Sequence, residues 1–164
     1  MTIYKELFEA LADQKIEYLV AGGFAVNFHG INRATADLDL IIHLHKDNIL
    51  KLDATMLKLG YRPRLPVTGQ EFAIKENRDK WIQEKNLVVF SYIHPENPFE
   101  LIDIFAEEPK PYDELYKDRL EVQAFGVTIP VISIDDLIEL KQQAGRDKDQ
   151  LDIKMLKKKK DNGQ

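Results

Sequence analysis

Ile3, Leu7, Phe8 and Leu11 recur at intervals of three and four, the spacing of one helix face, so an amphipathic helix is expected from an N-cap at Thr2 to Asp13. The pattern then changes. Glu17-Tyr18-Leu19-Val20-Ala21 has strand composition and runs into Gly22-Gly23, after which Phe24 to His29 is helical in character and stops at Gly30. The order is strand, glycine turn, helix. Ala36 to Ile42 starts by alternating polar and apolar residues, as a half-buried strand does. A further helix is expected over residues 47–59, closed by Gly60. Residues 61–71, with Pro63 and Pro66, read as a loop, and the charged stretch around Trp81 up to Lys85 shows neither period.

Strands are expected over residues 86–93 and 99–105, joined by the turn His94-Pro95-Glu96-Asn97-Pro98 into a hairpin. One or two short strands follow between Leu120 and Val131, interrupted by Gly126 and Pro130. Ser133-Ile134-Asp135-Asp136 is a variant capping box ahead of a helix over residues 135–144, broken at Gly145 and resumed to about Lys160. The alternation predicts an α/β (α+β) fold: a mixed β-sheet flanked by helices, with a C-terminal helical segment. One domain is expected over residues 1–156, with residues 157–164 as a basic, frayed tail. There are no internal repeats.

The 164-residue length and 44% hydrophobic content agree with a single domain that folds around its own core. Cysteine is absent, which excludes a disulfide framework, thiol catalysis and Cys-ligated metal centres. The longest apolar stretch, Tyr18 to Val26, is too short to span a bilayer, and the N-terminus carries Lys5, Glu6 and Glu9, so a cytoplasmic protein with no membrane partner is expected. The net charge is -5, yet residues 154–164 hold five lysines against Asp161, which leaves -9 on residues 1–153. An acidic body of this kind does not make a broad nucleic-acid platform, so a polyanion would have to be met locally.

Asp37 and Asp39, two apart on an expected strand, leave the same face and can converge on one ion. Asp103 lies in the apolar run Leu101-Ile102-Asp103-Ile104-Phe105, where a buried carboxylate is costly unless something neutralises it. If the two strands pair, three carboxylates crowd one volume and raise one another's pKa values. Oxygen-only coordination of this kind suits Mg2+ or Mn2+, and two such ions form a clamp for in-line displacement at phosphorus. The alternative is a set of solvated strand-end aspartates. Gly22-Gly23 would add backbone N–H groups for a phosphate, although glycines at such turns often serve positive φ alone.

Gly22-Gly23, thirteen residues, then Asp37-Leu38-Asp39-Leu40 with a later Ile102-Asp103-Ile104 resembles the signature of the polymerase-beta-like nucleotidyltransferase superfamily. Gly22 to Val26, His29-Gly30 and Arg33-Ala34-Thr35-Ala36-Asp37-Leu38-Asp39 look like its small stand-alone prokaryotic members, among them abortive-infection nucleotidyltransferase toxins. Asp136-Leu137-Ile138 with Lys141, and Ala144-Gly145-Arg146-Asp147-Lys148-Asp149-Gln150-Leu151-Asp152-Ile153, are similar to that group's closing motif.

The resemblance implies a metal-dependent enzyme that moves a nucleoside monophosphate from an NTP, ATP among them, to a hydroxyl and releases pyrophosphate. Asp37 and Asp39 would hold two Mg2+ or Mn2+ ions. Asp103 would bind the ion that activates the acceptor hydroxyl and help to take its proton, and Gly22 and Gly23 would cradle the triphosphate. Many members place a serine after the first glycine, where Gly23 stands here. Lys141, Arg146 and Lys148 would supply positive charge to the nucleotide, or form the solvated face of a terminal helix. Asp149 and Asp152 would position those cations or act as a further base, and Arg33 and Thr35 would touch a phosphate or buttress the turn. The acceptor stays open among RNA such as a tRNA end, a protein hydroxyl and a small molecule. A cognate antitoxin is a possible partner, and the rival reading is a non-catalytic module of a toxin-antitoxin pair.

Other D-x-D enzymes fit less well. A glycosyltransferase normally needs a longer chain, and a haloacid-dehalogenase-like phosphatase would want threonine or valine where Ile41 stands. His43-Leu44-His45 has same-face strand spacing, but a zinc site needs a third ligand that the sequence does not name. Tyr61, Arg62, Arg64, Lys75, Arg78 and Lys80 are candidates for an acceptor surface or for solvated loop and helix. The lysine run is a candidate RNA contact.

Overall fold

The computed structural model describes residues 4–163, so the expected Thr2 cap lies outside it. Helix α1 (Lys5–Asp13) packs Leu7, Phe8 and Leu11 into the core, the face that the spacing predicts. Strand β1 (Tyr18–Ala21) is buried along its length, and helix α2 (Gly22–Phe28) begins on the first glycine itself. Strand β2 spans Leu38–Ile42, so Asp39 lies within it and Asp37 lies on the loop just before it. This corrects the expectation of one strand from Ala36. Helix α3 (Lys46–Lys58) ends one residue before Leu59 and Gly60.

The segment read as loop and unassigned charge contains a two-residue strand β3 (Arg62–Pro63), a turn of helix α4 (Gly69–Phe72) with a Thr68 and Glu71 capping box, and helix α5 (Lys75–Lys85). Helix α5 carries only a short apolar contact, with Trp81 and Ile82 packed partly buried against the core, and a polar anchor beside it. Its buried residue is Arg78, whose Nη1 donates to the Phe72 carbonyl at 2.8 Å while the guanidinium lies 5.6 Å from the Phe72 ring centre. Strands β4 (Val89–His94) and β5 (Asn97–Phe105) form the expected hairpin. Helix α6 (Tyr112–Lys117) follows, then β6 (Leu120–Ala124) and β7 (Val127–Val131). Pro130 sits inside β7 instead of interrupting it. Strand β1 pairs with β7 at Val131 alone, so Pro130 has a partner strand on one side and its missing N–H is tolerated.

Helix α7 (Ile134–Ala144) is capped by Ser133 and ends at Gly145 in the left-handed conformation. A 3-10 turn at Asp147–Asp149 leads into helix α8 (Gln150–Asp161). Lys157–Lys160 therefore belong to a helix and not to a frayed tail, because Ile153 and Leu156 seat α8 on the core and Lys160 pairs with Asp135 at 2.5 Å. Among the described residues, no helix is long and apolar enough to cross a membrane.

Among the described residues, seven strands form one mixed sheet in the order β3-β4-β5-β2-β1-β7-β6. At its centre β1 and β2 run antiparallel, while β2 and β5 run parallel with Asp39 directly opposite Asp103. Ala21, the last residue of β1, faces Asp39 from the other side. Leu38, Leu40, Ile102 and Ile104, which flank the two aspartates, are fully buried and fix the register.

Candidate active site

Strand register puts the Asp39 and Asp103 backbones one strand spacing apart, about 4.8 Å. The loop before β2 delivers Asp37 to the same place, and its charge is felt at both. Tyr4 holds that loop in position. Its hydroxyl lies 3.0 Å from the Ala36 carbonyl and 3.2 Å from the Leu101 carbonyl, sharing one proton between segments that each lead into an aspartate. Burial pushes this phenol up to about 12, which keeps it a donor at every working pH.

Among the described residues, no cationic side chain is bonded to the three acids. Burial, then the charges of Asp103 and Asp37, push the Asp39 carboxyl up to about 7, while Arg146 and Lys141 pull it down more weakly. Burial also raises Asp103, against the Ser91 hydroxyl that donates to its Oδ1 at 2.6 Å. The Arg64 charge lowers Asp103 as well, so of the six candidates around residues 61–80 Arg64 reaches the site electrostatically. Tyr61 instead donates to Glu100, Arg62 to the carbonyls of Leu57 and Tyr61, and Lys75 to Asp79.

The glycines lie against these acids. A Cβ on Gly22 would collide with the Asp39 carboxylate, and the residue has a φ of +62°. Gly22→Ala is therefore expected to destabilise the fold by about 2 kcal/mol, from left-handed strain plus displacement of Asp39, as measured by urea denaturation. A Cβ on Gly23 would meet Thr35 Oγ1 at 2.5 Å. The hydroxyl at this turn is thus supplied by Thr35, in the space that a side chain at position 23 would need.

Along the cleft stands an ionic cluster in which Lys141, Asp149 and Asp152 are buried while Arg33 and Arg146 reach solvent. Lys141, 5% exposed, donates to Asp149 Oδ1 at 3.1 Å and Asp152 Oδ2 at 3.2 Å. Arg146 grips Asp149 with Nε at 2.6 Å and Nη2 at 3.2 Å, and Arg33 Nη1 reaches Asp152 at 2.5 Å. Burial alone would raise the Asp149 carboxyl; the Arg146 and Lys141 hydrogen bonds overcome this and hold it below the usual range. Three cations against two carboxylates leave one net positive charge opposite the three aspartates.

A cleft of about 360 Å³ brings the expected residues together. Asp37, Asp39 and Asp103 line one part, Gly22, Gly23 and Thr35 another, and Arg33, Lys141, Arg146, Lys148 and Asp149 the rest. Asp152 stands outside the lining and acts on it through Arg33 and Lys141. Ser91 and Tyr4 were not anticipated. Ser91 could have been found by counting the hairpin register from Asp103, whereas Tyr4 reaches Leu101 across 97 positions with no local signal.

No sequence model of a known family matches the chain, and no curated protein matches it in sequence. Solved structures do match. The lincosamide antibiotic adenylyltransferase LnuA, solved with lincomycin bound, superposes with a TM-score of 0.61 at 19% identity, covering 93% of this chain and 95% of that one. ANT(2")-Ia, solved with adenylyl-2"-tobramycin, gives 0.58 at 18% identity over 94% and 85%. An antigenic nucleotidyltransferase-like protein from Paracoccidioides brasiliensis gives 0.58 at 19% identity over 96% and 73%. The chain has the nucleotidyltransferase fold.

Proposed function

We propose that this chain transfers a nucleoside monophosphate from an NTP to a hydroxyl group of a small molecule, with pyrophosphate leaving. The observation that carries the reading is the convergence of Asp37, Asp39 and Asp103 on one small cleft beside the Gly22-Gly23 turn.

The donor set fits divalent cations. Three convergent carboxylates, with no cationic side chain bonded to them among the described residues and one of them held up to about 7, are a site whose full ionisation waits for added positive charge. Asp37, Asp39 and Asp103 would hold Mg2+ or Mn2+. When bound, such ions would neutralise phosphate charge and ease ionisation of the acceptor hydroxyl. The chain's own groups supply the remainder. The Gly22 and Gly23 backbone and the Thr35 hydroxyl would receive phosphate oxygens; α2 has only seven residues, so these groups matter more than a helix dipole. The Lys141, Arg146 and Arg33 cluster, with Lys148 at its rim, would offset charge on the departing pyrophosphate. Asp103, raised by burial and oriented by Ser91, is suited to accept the hydroxyl proton, since a raised pKa brings a carboxylate closer to the working range of a general base.

The small acceptor draws support from the lincosamide antibiotic adenylyltransferase LnuA, which the chain matches over nearly its whole length, and from ANT(2")-Ia, solved with adenylyl-2"-tobramycin. The test is incubation with Mg2+, each labelled NTP and separate pools of hydroxylated small molecules, RNA and protein, with Asp39→Asn as control. Label is expected in the small-molecule pool with wild type alone. Label in RNA or protein would keep the transfer and reject the acceptor class, and label in none would reject the transfer.

A further inference from the structure

The motif His43-Leu44-His45 lies at the opposite end of β2 from the aspartates, His43 being four residues beyond Asp39 or about 13 Å along the strand. The fold supplies its third partner. Glu17, just before β1, sits opposite His43, whose N–H donates to the Glu17 carbonyl at 3.1 Å. The Glu17 carboxylate reaches both rings, with Oε2 2.6 Å from His45 Nε2 and Oε1 3.3 Å from His43 Nδ1. One ligand atom from each residue lies within 4.8 Å of the others, and all three side chains are open to solvent.

This arrangement is built on buried structure. Asn48 is fully buried, accepts from the Glu17 N–H at 2.9 Å, and donates to the Glu17 and His43 carbonyls, each at 2.9 Å. One amide side chain therefore fixes the backbones that carry two of the three ligands. The His43 ring is stacked on Tyr112, with centres 4.9 Å apart and planes at 10°. His45 is placed by its position as N-cap of α3, where its Nδ1 accepts from the Asn48 N–H at 3.3 Å.

We infer that Glu17, His43 and His45 form a second cation site, distinct from the aspartate cleft and selective for a zinc-like divalent transition metal. Two imidazoles and one carboxylate are the donor set that such ions prefer, whereas Mg2+ favours the all-oxygen cleft. Tetrahedral bonds near 2.0 Å place ligand atoms about 3.3 Å apart, so loading opens the short His45 to Glu17 contact and draws together ligand atoms that now lie within 4.8 Å of one another. In loading, His45 Nε2 gives up its proton to Nδ1 and its lone pair to the metal, and the long contact with the Asn48 N–H is lost. Solvent fills the remaining coordination. The bound ion would tie the segment before β1 to the end of β2 and the start of α3.

Cobalt(II) titration of chelator-stripped full-length protein, in excess Mg2+, tests the inference. One equivalent should give the visible d–d absorption of a four- or five-coordinate site, displaced by zinc and not by further Mg2+. Glu17→Gln and His45→Ala should each weaken binding at least tenfold, and the double variant His43→Ala/His45→Ala should abolish it, with circular dichroism confirming that each is folded. Asp39→Asn should bind cobalt as wild type does. Absence of the absorption, its retention in the folded double variant, or its loss in Asp39→Asn would each overturn the second site.

Discussion

Asp39→Asn is expected to lower nucleotidyl transfer by at least about a thousandfold while making the metal-free protein more stable at pH 8. Both effects come from one carboxylate. Asp39 faces Asp103 across β2 and β5, and burial followed by the charges of Asp103 and Asp37 raises it to about 7. In the unfolded chain it returns to the ordinary value near 4. The folded state therefore holds the proton more tightly, and stability falls as pH rises between about 4 and 7, with the whole penalty present above 7. A three-unit difference corresponds to on the order of 3 kcal/mol after allowance for partial hydration. Asparagine carries no charge to penalise. In chelator the variant should melt above wild type at pH 8, and the two curves should converge as pH falls towards 5. Mg2+ should raise the wild-type melting temperature and leave the variant largely unmoved. Equal melting of the two proteins at pH 8 would contradict the crowded-carboxylate description.

Lys141→Met is expected to cost about 3 kcal/mol of stability and at least tenfold in transfer. The ammonium is 5% exposed and bonds Asp149 and Asp152 together, so its removal strips one partner from each buried carboxylate. Asp149 keeps Arg146 and Asp152 keeps Arg33, which holds the loss below the extreme for an abandoned charge. Adding Asp152→Asn to Lys141→Met should therefore recover part of the stability without recovering transfer. Urea denaturation of the single and double variants measures the first effect, and labelled-NTP turnover the second. A loss below about 1 kcal/mol would mean that the cluster is solvated.

The cleft was legible in the sequence because its parts are local. Asp37 and Asp39 are two residues apart, Gly22-Gly23 closes a short apolar strand, and Asp103 interrupts a run that otherwise belongs in the core. The pairing of Asp149 and Asp152 with the nearby cations was also readable, since all lie within twelve positions of Lys141. Elements held by polar contacts were not. Helix α5 escaped periodicity because its apolar contact is the single pair Trp81 and Ile82 beside the buried Arg78 guanidinium, and α6 has only Tyr112 and Leu115 buried over six residues. The Tyr4 clamp and the Glu17 partner of the two histidines arise from pairings 97 and up to 28 positions apart, which residue types alone do not disclose. The lysine run looked like a tail because its composition hides Ile153 and Leu156 on the inner face of α8.

The central claim is that the three aspartates and the glycine turn together bind a metal-complexed NTP, independently of any acceptor. Calorimetric titration of the protein with an NTP analogue whose α,β bridge cannot be cleaved, in the presence of Mg2+, tests it most directly. Saturable binding of one nucleotide per chain is predicted, lost in chelator and lost in Asp39→Asn. No binding by wild type, or equal binding by the variant, would contradict the account.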